Sequence, residues 1–382
     1  MKYLPINWQD GMKIRKEHFL GQEFAARGET FDLAQAGLTP FSYGLLPPRL
    51  GVPGKAFDLW FKLDQSGQML ITLTACRVIA PNGALFELDD TDPSPTLEAT
   101  AQQVLERFPQ ATQCFVVLEV NPFERVPTGQ ADPEEHPPRL PGTHPHFRLK
   151  LSNIVQGAAS SQGAFDITLG RIDLSDAEPQ LDPLFIPPSA AMVACPQLNE
   201  QYDRWFRILE EVEGQCSQTL NRIRKLEEGS GEDLFSNSLA VGPIAQRLTL
   251  RILYLTSDLL VEREVLRYQP PMYFMTAVQR HARSLLNLFA ELGEKSSQEW
   301  VNFLSQSIKL TDYHESIESL VKASYNHLDL KEMMAIVDQY VQMLGRMYHA
   351  QRGLPTSNFD WKRMVDIGIS FEDKKSDPDD IF

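Results

Sequence analysis

The stretch from Trp8 to Gln22 reads WQDGMKIRKEHFLGQ and places several large apolar side chains close to one end of the chain. Chain ends are usually frayed unless something ties them down. Trp8, Met12 and Phe19 would each contribute about 1.5–3 kcal/mol on burial. We therefore expect this segment to pack, either into its own domain or onto a neighbouring subunit.

The order of residues in this stretch resembles the opening of the TssK family of type VI secretion baseplate proteins. The matching positions are Trp8, Gly11, Met12, Ile14, His18, Phe19 and Gln22. Further matches follow in the same order over about half of the chain: Tyr43-Gly44-Leu45, Pro81-Asn82-Gly83 with Phe86, His146-Phe147-Arg148-Leu149 and Phe185-Ile186-Pro187-Pro188.

The resemblance implies a homotrimer in which an N-terminal β-sandwich, similar to the shoulder of phage receptor-binding proteins, is followed by a helical bundle. In that family the sandwich and its leading segment engage baseplate wedge proteins of the TssF and TssG kind. A C-terminal head contacts the membrane-anchored complex. The resemblance assigns the wedge-facing or trimer-forming end of this chain to Trp8, Gly11, Met12, Ile14, His18 and Phe19.

Size and charge restrict the class of protein. A chain of 382 residues is too long for one ordinary core, so we expect two domains or more. The formal net charge of −15 argues against nucleic acid or an anionic lipid surface as the main partner.

Cysteine usage and hydropathy bear on the compartment. Cys76, Cys114, Cys195 and Cys216 lie far apart in no metal-like spacing, and we expect buried free thiols in a reducing compartment. No stretch reaches the roughly 18 consecutive apolar residues of a membrane span. We expect a cytoplasmic protein without cofactors and without direct membrane insertion. When assembled, it would dock at the inner face of the inner membrane.

Residues 1–190 contain short apolar runs that Pro and Gly interrupt, which predicts an antiparallel β-sandwich with at least six strands. Two runs, 57–63 and 69–75, are predicted to be neighbouring strands joined by a turn at 64–67.

The remaining strand signals differ in strength. Asn82-Gly83 between apolar runs is the strongest hairpin signal. The dense apolar run 114–120 predicts a central strand buried on both faces. Further strands are expected at 146–151 and 165–169.

Two insertions are expected within this domain. Residues 96–107 are predicted to form a short helix. Residues 121–145 are rich in Pro, which lacks a backbone donor, so we expect an exposed loop there and no strand.

The pattern changes to helical after Pro187-Pro188, and residues 191–352 are predicted to form an antiparallel helical bundle. The first helix ends near Gly229-Ser-Gly231, and its apolar face comprises Leu198, Tyr202, Trp205, Phe206, Leu209 and Val212. A second helix is predicted from Ser236 or Ser238 to Tyr268, with a face of Ile244, Leu248, Ile252, Leu255, Leu259, Val261 and Leu266. Further helical segments are predicted at 273–292, 297–308, 313–325 and 329–351.

Residues 353–382 are mostly polar and are expected to form an acidic, disordered tail. The resemblance implies a further folded domain in this position, so the chain departs from the family with a shortened C-terminus. We therefore expect a divergent secretion subtype with a non-standard membrane partner. The end of the bundle or the tail would then make the membrane-side contact.

Histidines were considered as metal ligands or catalytic bases. His136, His144 and His146 lie near Glu134 and Glu135, and a His-x-His pair on a strand could chelate a metal. The ordinary interpretation is a solvated loop and a strand start. His18 has no neighbouring nucleophile in the sequence, and no Gly-x-Ser-x-Gly, His-Glu-x-x-His or glycine-rich phosphate motif occurs. We therefore predict no enzyme.

Three functions remain open. The first is a structural subunit that links the baseplate wedge of a contractile injection machine to its membrane-anchored complex. The second is a phage-tail-like receptor-binding protein or tail adaptor with an extracellular ligand. The third is a metal-dependent hydrolase built on His136, His144 and His146.

Overall fold

The computed structural model describes residues 3–49, 51, 55–88, 94–153, 165–175, 178–230, 241–292 and 313–349. Within them the chain is α+β, as predicted, with antiparallel sheets and eight α-helices. The predicted helix 297–308 and the predicted tail 353–382 lie outside the described residues. The chain divides into two compact units, one drawn from 1–204, 262–276 and 323–335, and the other from 205–261, 277–322 and 336–382.

The first sheet is organised around its longest strand. Its strands are β1 (Gly44–Leu45), β2 (Phe57–Leu63), β3 (Gln68–Ile79), β4 (Leu85–Leu88) and β5 (Thr96–Thr100). All four neighbours pair antiparallel with β3, β1 and β2 along one side and β4 and β5 along the other. The predicted β2–β3 and β3–β4 hairpins are confirmed. Gly67 and Gly83 supply the positive φ angles that their turns require.

The second sheet has the strand order β7-β6-β8-β9. Its strands are β6 (Gln113–Thr128), β7 (Gly142–Ser152), β8 (Asp166–Asp173) and β9 (Gln180–Leu181). β6 pairs with a neighbour on each side, and residues 114–118 are buried in succession. The predicted central strand is therefore confirmed. β-branched and apolar side chains on both faces of a strand require cover on both faces.

The predicted helix over 96–107 is only half correct. Residues 96–100 form β5, which pairs with β3, and only Ala101–Arg107 is helical, as α2. Thr100 ends the strand and caps the helix: its Oγ1 accepts the Gln103 N–H at 3.1 Å, and Gln103 Oε1 accepts the Thr100 N–H at 3.0 Å. This capping box places the helix start at Ala101, five residues later than the sequence pattern indicates.

The predicted loop over 121–145 is wrong at both ends. β6 continues to Thr128 and pairs with β7 from Gly142, with Pro127 opposite Thr143 and Pro145 opposite Arg125. β8 pairs with β6 only as far as Glu119, so the rest of β6 and β7 forms a two-stranded ribbon. Each strand of such a ribbon has one unpaired side, where a missing N–H removes no ladder hydrogen bond.

Among the described residues, six α-helices follow residue 190. They are α3 (Pro196–Ser230), α4 (Val241–Val261), α5 (Arg263–Arg267), α6 (Pro271–Leu292), α7 (Tyr313–Lys322) and α8 (Lys331–His349). The apolar face predicted for the first helix is confirmed, since all six of its residues are buried. The helix also ends where Gly229-Ser-Gly231 predicts.

The predicted continuous second helix is wrong near its end. The chain breaks between α4 and α5 at Glu262, and Val261 is 84% exposed although it was assigned to the buried face. Val261 is followed by Glu262, Arg263 and Glu264. This turn of the chain therefore has no further apolar side chain to bury.

Each unit contains a buried histidine. In the second unit His281 Nδ1 lies 2.6 Å from Tyr340 Oη. In the first unit His327 Nε2 lies 3.0 Å from the Tyr43 carbonyl oxygen, and Tyr325 Oη lies 2.8 Å from Nδ1. Burial lowers the pKa of both imidazoles to about 4.

These histidines predict a stability that decreases in mild acid. The folded-state pKa lies below the ordinary histidine value, so between pH 6.5 and 4 the unfolded chain binds more protons and stability falls as the pH falls. Each histidine should remove about 2 kcal/mol between pH 7 and pH 5. Urea unfolding at the two pH values measures this. His281→Gln should flatten the pH dependence, whereas exposed His136→Gln should leave it unchanged. Equal slopes in both variants would contradict the prediction.

Candidate functional site

The leading segment, residues 3–15, folds back onto the start of helix α1 (Lys16–Gly37). Gly11 has a φ of +78°, and the Met12 N–H donates to the Gln9 carbonyl oxygen at 3.2 Å, so the chain reverses there. The Ile6 N–H then donates to Gln22 Oε1 at 3.0 Å. These two hydrogen bonds fix the segment along the helix.

His18 has a structural role in this arrangement. Its Nδ1 accepts the Arg15 N–H at 3.3 Å, which satisfies a backbone donor at the start of α1. Its ring also contacts Trp8 edge to face, with centroids 6.1 Å apart. The hydrogen bond and the ring contact explain a histidine at position 18 without assigning it a catalytic role.

Three large side chains of this region remain exposed. The exposed fractions are 46% for Trp8, 60% for Ile14 and 62% for Phe19, and the Trp8 and Phe19 rings lie 6.3 Å apart. We call Trp8, Ile14 and Phe19 the apolar group. The described residues do not bury it, so the expected packing into its own domain is not found for these side chains. Packing onto another subunit stays a prediction.

Helix α1 is anchored to the β6–β7 ribbon by charged and aromatic contacts. Arg27 donates to the Pro122 carbonyl oxygen, and Arg125 pairs with Glu23. The Phe24 and Phe123 rings meet edge to face at 5.7 Å. The apolar group therefore lies on the leading segment and the start of a helix that is anchored to the ribbon.

The β3–β4 turn also holds α1. At Gly83, with φ of +86°, an added Cβ would lie 2.6 Å from the Phe31 carbonyl oxygen. Only glycine permits the turn to approach the helix backbone this closely. The Pro81-Asn82-Gly83 motif thus has a packing role.

The other motifs of the resemblance also lie at internal contacts. Gly44 approaches Pro188, where Leu45 N–H donates to the Pro188 carbonyl oxygen at 2.8 Å and Ala190 N–H donates to the Leu45 carbonyl oxygen at 2.8 Å. The Phe86 and Phe147 rings lie 4.9 Å apart. These motifs hold the first unit together.

Sequence reasoning missed helix α1 as an element, together with its anchors. Only Ala25 of the helix is buried, so its apolar residues do not form one inward face. Glu23 and Arg27 at a spacing of four were an available helical signal, since such pairs stabilise helices.

The histidines near the ribbon contact protein oxygen atoms. His144 Nδ1 lies 2.7 Å from the Pro145 carbonyl oxygen, and His146 Nδ1 lies 3.6 Å from Glu124 Oε2. Across the residues that the structure describes, no group of three His, Cys, Asp or Glu side chains could hold a metal ion.

Cys76, Cys114, Cys195 and Cys216 are free and buried, as predicted, and burial raises the pKa of the Cys195 thiol to about 11. Of the helices described, none combines the length and apolar character needed to span a membrane.

Comparison with solved structures identifies the fold. A crystal structure of TssK matches with a TM-score of 0.52 and 18% identity, over 90% of this chain and 70% of that chain. A chain of a type VI secretion baseplate complex matches with a TM-score of 0.51 and 16% identity, over 89% of this chain and 100% of that chain. A chain of a TssK–TssF–TssG baseplate subcomplex matches with a TM-score of 0.47 and 16% identity, over 91% and 100%. No protein-family model and no curated protein matches the sequence. The chain therefore has a TssK-like fold.

Proposed function

We propose that this chain is a structural subunit of a type VI secretion baseplate and acts by binding other proteins, without catalysis. The observation that carries the proposal is the apolar group. Trp8 and Ile14 are exposed on the leading segment, which hydrogen bonds hold along α1, and Phe19 is exposed at the start of α1 itself. Exposed aromatic and aliphatic side chains on a rigid support are typical of protein-binding surfaces.

The TssK-like fold supports this assignment, and so does the order of the motifs from Trp8 to Pro188. In the proposed architecture, residues 1–190 form a β-sandwich with a leading segment, residues 191–352 form a helical bundle and residues 353–382 form an acidic tail. The wedge-facing or trimer-forming end comprises Trp8, Gly11, Met12, Ile14, His18 and Phe19.

Self-association as a homotrimer is part of the proposal. Helix α4 carries exposed Leu250, Tyr254 and Val261 at spacings of four and seven residues, which place them along one stripe. An apolar stripe on a helix is a suitable surface for contact between copies of the chain. Sedimentation velocity would measure the oligomeric state, and a monomer at micromolar concentration would contradict the proposed homotrimer.

The proposed partners are wedge proteins of the TssF and TssG kind at one end and a non-standard protein of the membrane-anchored complex at the other. The assembled subunit would be cytoplasmic and would dock at the inner face of the inner membrane. The proposal includes neither nucleic acid nor direct insertion into lipid. The net charge of −15 disfavours binding to nucleic acid and to an anionic lipid surface.

Co-purification with the wedge proteins tests the proposal. The full chain should capture both wedge proteins from cells of its native host. Trp8→Ala with Phe19→Ala should weaken capture by roughly 2–3 kcal/mol, or about 30-fold or more, because buried aromatic anchors dominate interface energies. Leu33→Ala removes an exposed apolar side chain from the same helix as Phe19, outside the apolar group, and as the control should bind normally.

Two results would overturn the proposal. Capture of no wedge protein by the wild-type chain would remove the baseplate role and leave the tail-adaptor alternative. Full capture by the Trp8→Ala, Phe19→Ala variant would remove the apolar group as the binding surface. Unfolding by urea, compared between the variant and the wild type, separates lost binding from lost stability.

A further inference from the structure

A pocket of about 330 Å³ lies beside helix α1 in the first unit. Its walls come from the leading segment, one side of α1, the β3–β4 turn, Phe123 of β6 and Phe165, which immediately precedes β8. This volume falls in the lower part of the range of ligand pockets, about 300–1,000 Å³. The apolar group is not part of the lining.

The pocket is rich in aromatic rings. The Phe123 ring lies 5.0 Å from the Tyr3 ring, 6.1 Å from the Phe31 ring and 6.2 Å from the Phe165 ring. All four line the pocket. Aromatic faces carry partial negative charge and attract cations.

Carboxylates from α1 add to this charge. Glu29 and Asp32 line the pocket three residues apart, and no residue in the described lining is cationic. Asp32 already takes part in another interaction, so the available charge is that of Glu29. Glu29 has no ion-pair partner among the described residues. The nearby Arg27 and Arg125 are bonded to Pro122 and Glu23. The pocket thus combines aromatic walls with acidic side chains, which complement a positively charged group.

Gly28 leaves part of the pocket wall without a side chain. Glycine within a helix is less favourable than alanine, and an added Cβ at Gly28 would meet no atom within 4 Å. Nothing in the fold therefore requires glycine there. A side chain at position 28 would instead extend into the pocket that Gly28 lines.

We propose that this pocket binds an arginine or lysine side chain that a partner protein presents on an apolar segment. The chain already uses this chemistry internally, since the Arg125 guanidinium lies 5.5 Å over the Phe24 ring. The proposal goes beyond the baseplate role by naming the chemistry of one contact. It depends on that role only for the identity of the partner.

Peptide binding to the full chain tests the proposal without any baseplate protein, so its failure is separate from failure of the proposed function. The probe is a fluorescein-labelled Gly-Leu-Arg-Leu-Gly peptide, read by anisotropy at low salt. The same peptide with citrulline in place of arginine keeps the shape and lacks the charge. We expect saturable binding of the arginine peptide and roughly tenfold weaker binding of the citrulline peptide.

Variants assign the binding to the pocket. Glu29→Gln should weaken it about fivefold, whereas Glu17→Gln removes the same charge from the same helix outside the pocket and should change nothing. Gly28→Leu should fill the pocket and abolish binding, with Gly28→Ala as the milder comparison. If Gly28→Leu does not fold, the Glu29→Gln and citrulline comparisons decide.

Three results would overturn the proposal. Equal affinity for the arginine and citrulline peptides would show that charge is not recognised. Equal weakening by Glu29→Gln and Glu17→Gln would show that the probe does not bind in the pocket. Loss of probe binding as the protein concentration rises would assign it to a second copy of the chain.

Discussion

Replacing Gly44 with alanine should unfold the first unit at much lower urea concentrations than the wild type requires. Gly44 has a φ of +101°, and an added Cβ would lie 2.1 Å from the Pro188 carbonyl oxygen and 2.4 Å from its carbonyl carbon. Backbone atoms cannot move aside as the end of a flexible side chain can. The two hydrogen bonds that join Leu45 to Pro188 and Ala190 would therefore be lost with the contact. We expect a loss of about 4 kcal/mol.

Gly67→Ala is the matched control for this substitution. Gly67 also has a positive φ, +77°, but an added Cβ there meets nothing within 4 Å. It should show only the backbone penalty of about 1 kcal/mol. Circular dichroism during urea unfolding measures both. Equal losses in the two variants would mean that the approach of Gly44 to Pro188 is not essential.

Replacing Arg171 with methionine should have a comparable effect for an electrostatic reason. Arg171 is buried, and it donates from Nε to Asp182 at 3.0 Å and from Nη1 to Asp329 at 2.6 Å. Its guanidinium also lies 5.3 Å over the Phe185 ring. Methionine would fill a similar volume, but Asp182 and Asp329 would lose the positive charge that balances their carboxylates. We expect a loss of about 3–5 kcal/mol.

The pH dependence of stability distinguishes the electrostatic effect of Arg171→Met from a loss of packing. Burial acts to raise the pKa of Asp182, but hydrogen bonds from Arg171 and the Leu184 N–H, with attraction from Arg171 and Lys331, outweigh it and hold the pKa below its ordinary value. In the wild type, the contribution of Asp182 to the free energy of unfolding is present above its unfolded-state pKa and is lost as the pH falls through its folded-state pKa. Without Arg171 the contribution should reverse, because burial then favours the protonated acid.

Two further variants complete the test. Arg171→Met combined with Asp182→Asn and Asp329→Asn should recover most of the lost stability, since neutral amides need no counter-charge. Arg139→Met, which removes an exposed pair with Glu135, should not change stability measurably. A triple variant no more stable than Arg171→Met alone would indicate that packing, not charge, sets the effect.

The sequence predicted best where local pattern and burial agree. The face from Leu198 to Val212 repeats at helical spacing and is fully buried, and Asn82-Gly83 forms the hairpin that its residues favour. Thr96 to Thr100 illustrates the opposite case. That segment has a helical composition, but pairing with β3 makes it a strand, and a distant partner of this kind leaves no trace in local periodicity.

The candidate site could be predicted only in part. The sequence singled out Trp8 and Phe19 as large apolar residues near one end of the chain, but it did not distinguish burial within the domain from exposure. That difference depends on contacts between α1 and the ribbon, such as Arg125 with Glu23, which are about a hundred residues apart in sequence. The pocket depends on the same long-range contacts, so no local motif marks it.

The prolines of the β6–β7 ribbon have a consequence for assembly at high local concentration. Exposed strand edges are templates on which neighbouring chains add strands and grow into fibrils. Pro127 and Pro145 each interrupt the row of backbone donors on one strand of this ribbon. Copies of the chain at high local concentration can therefore contact one another through side chains, while addition of further strands to the edges of the β6–β7 ribbon is suppressed.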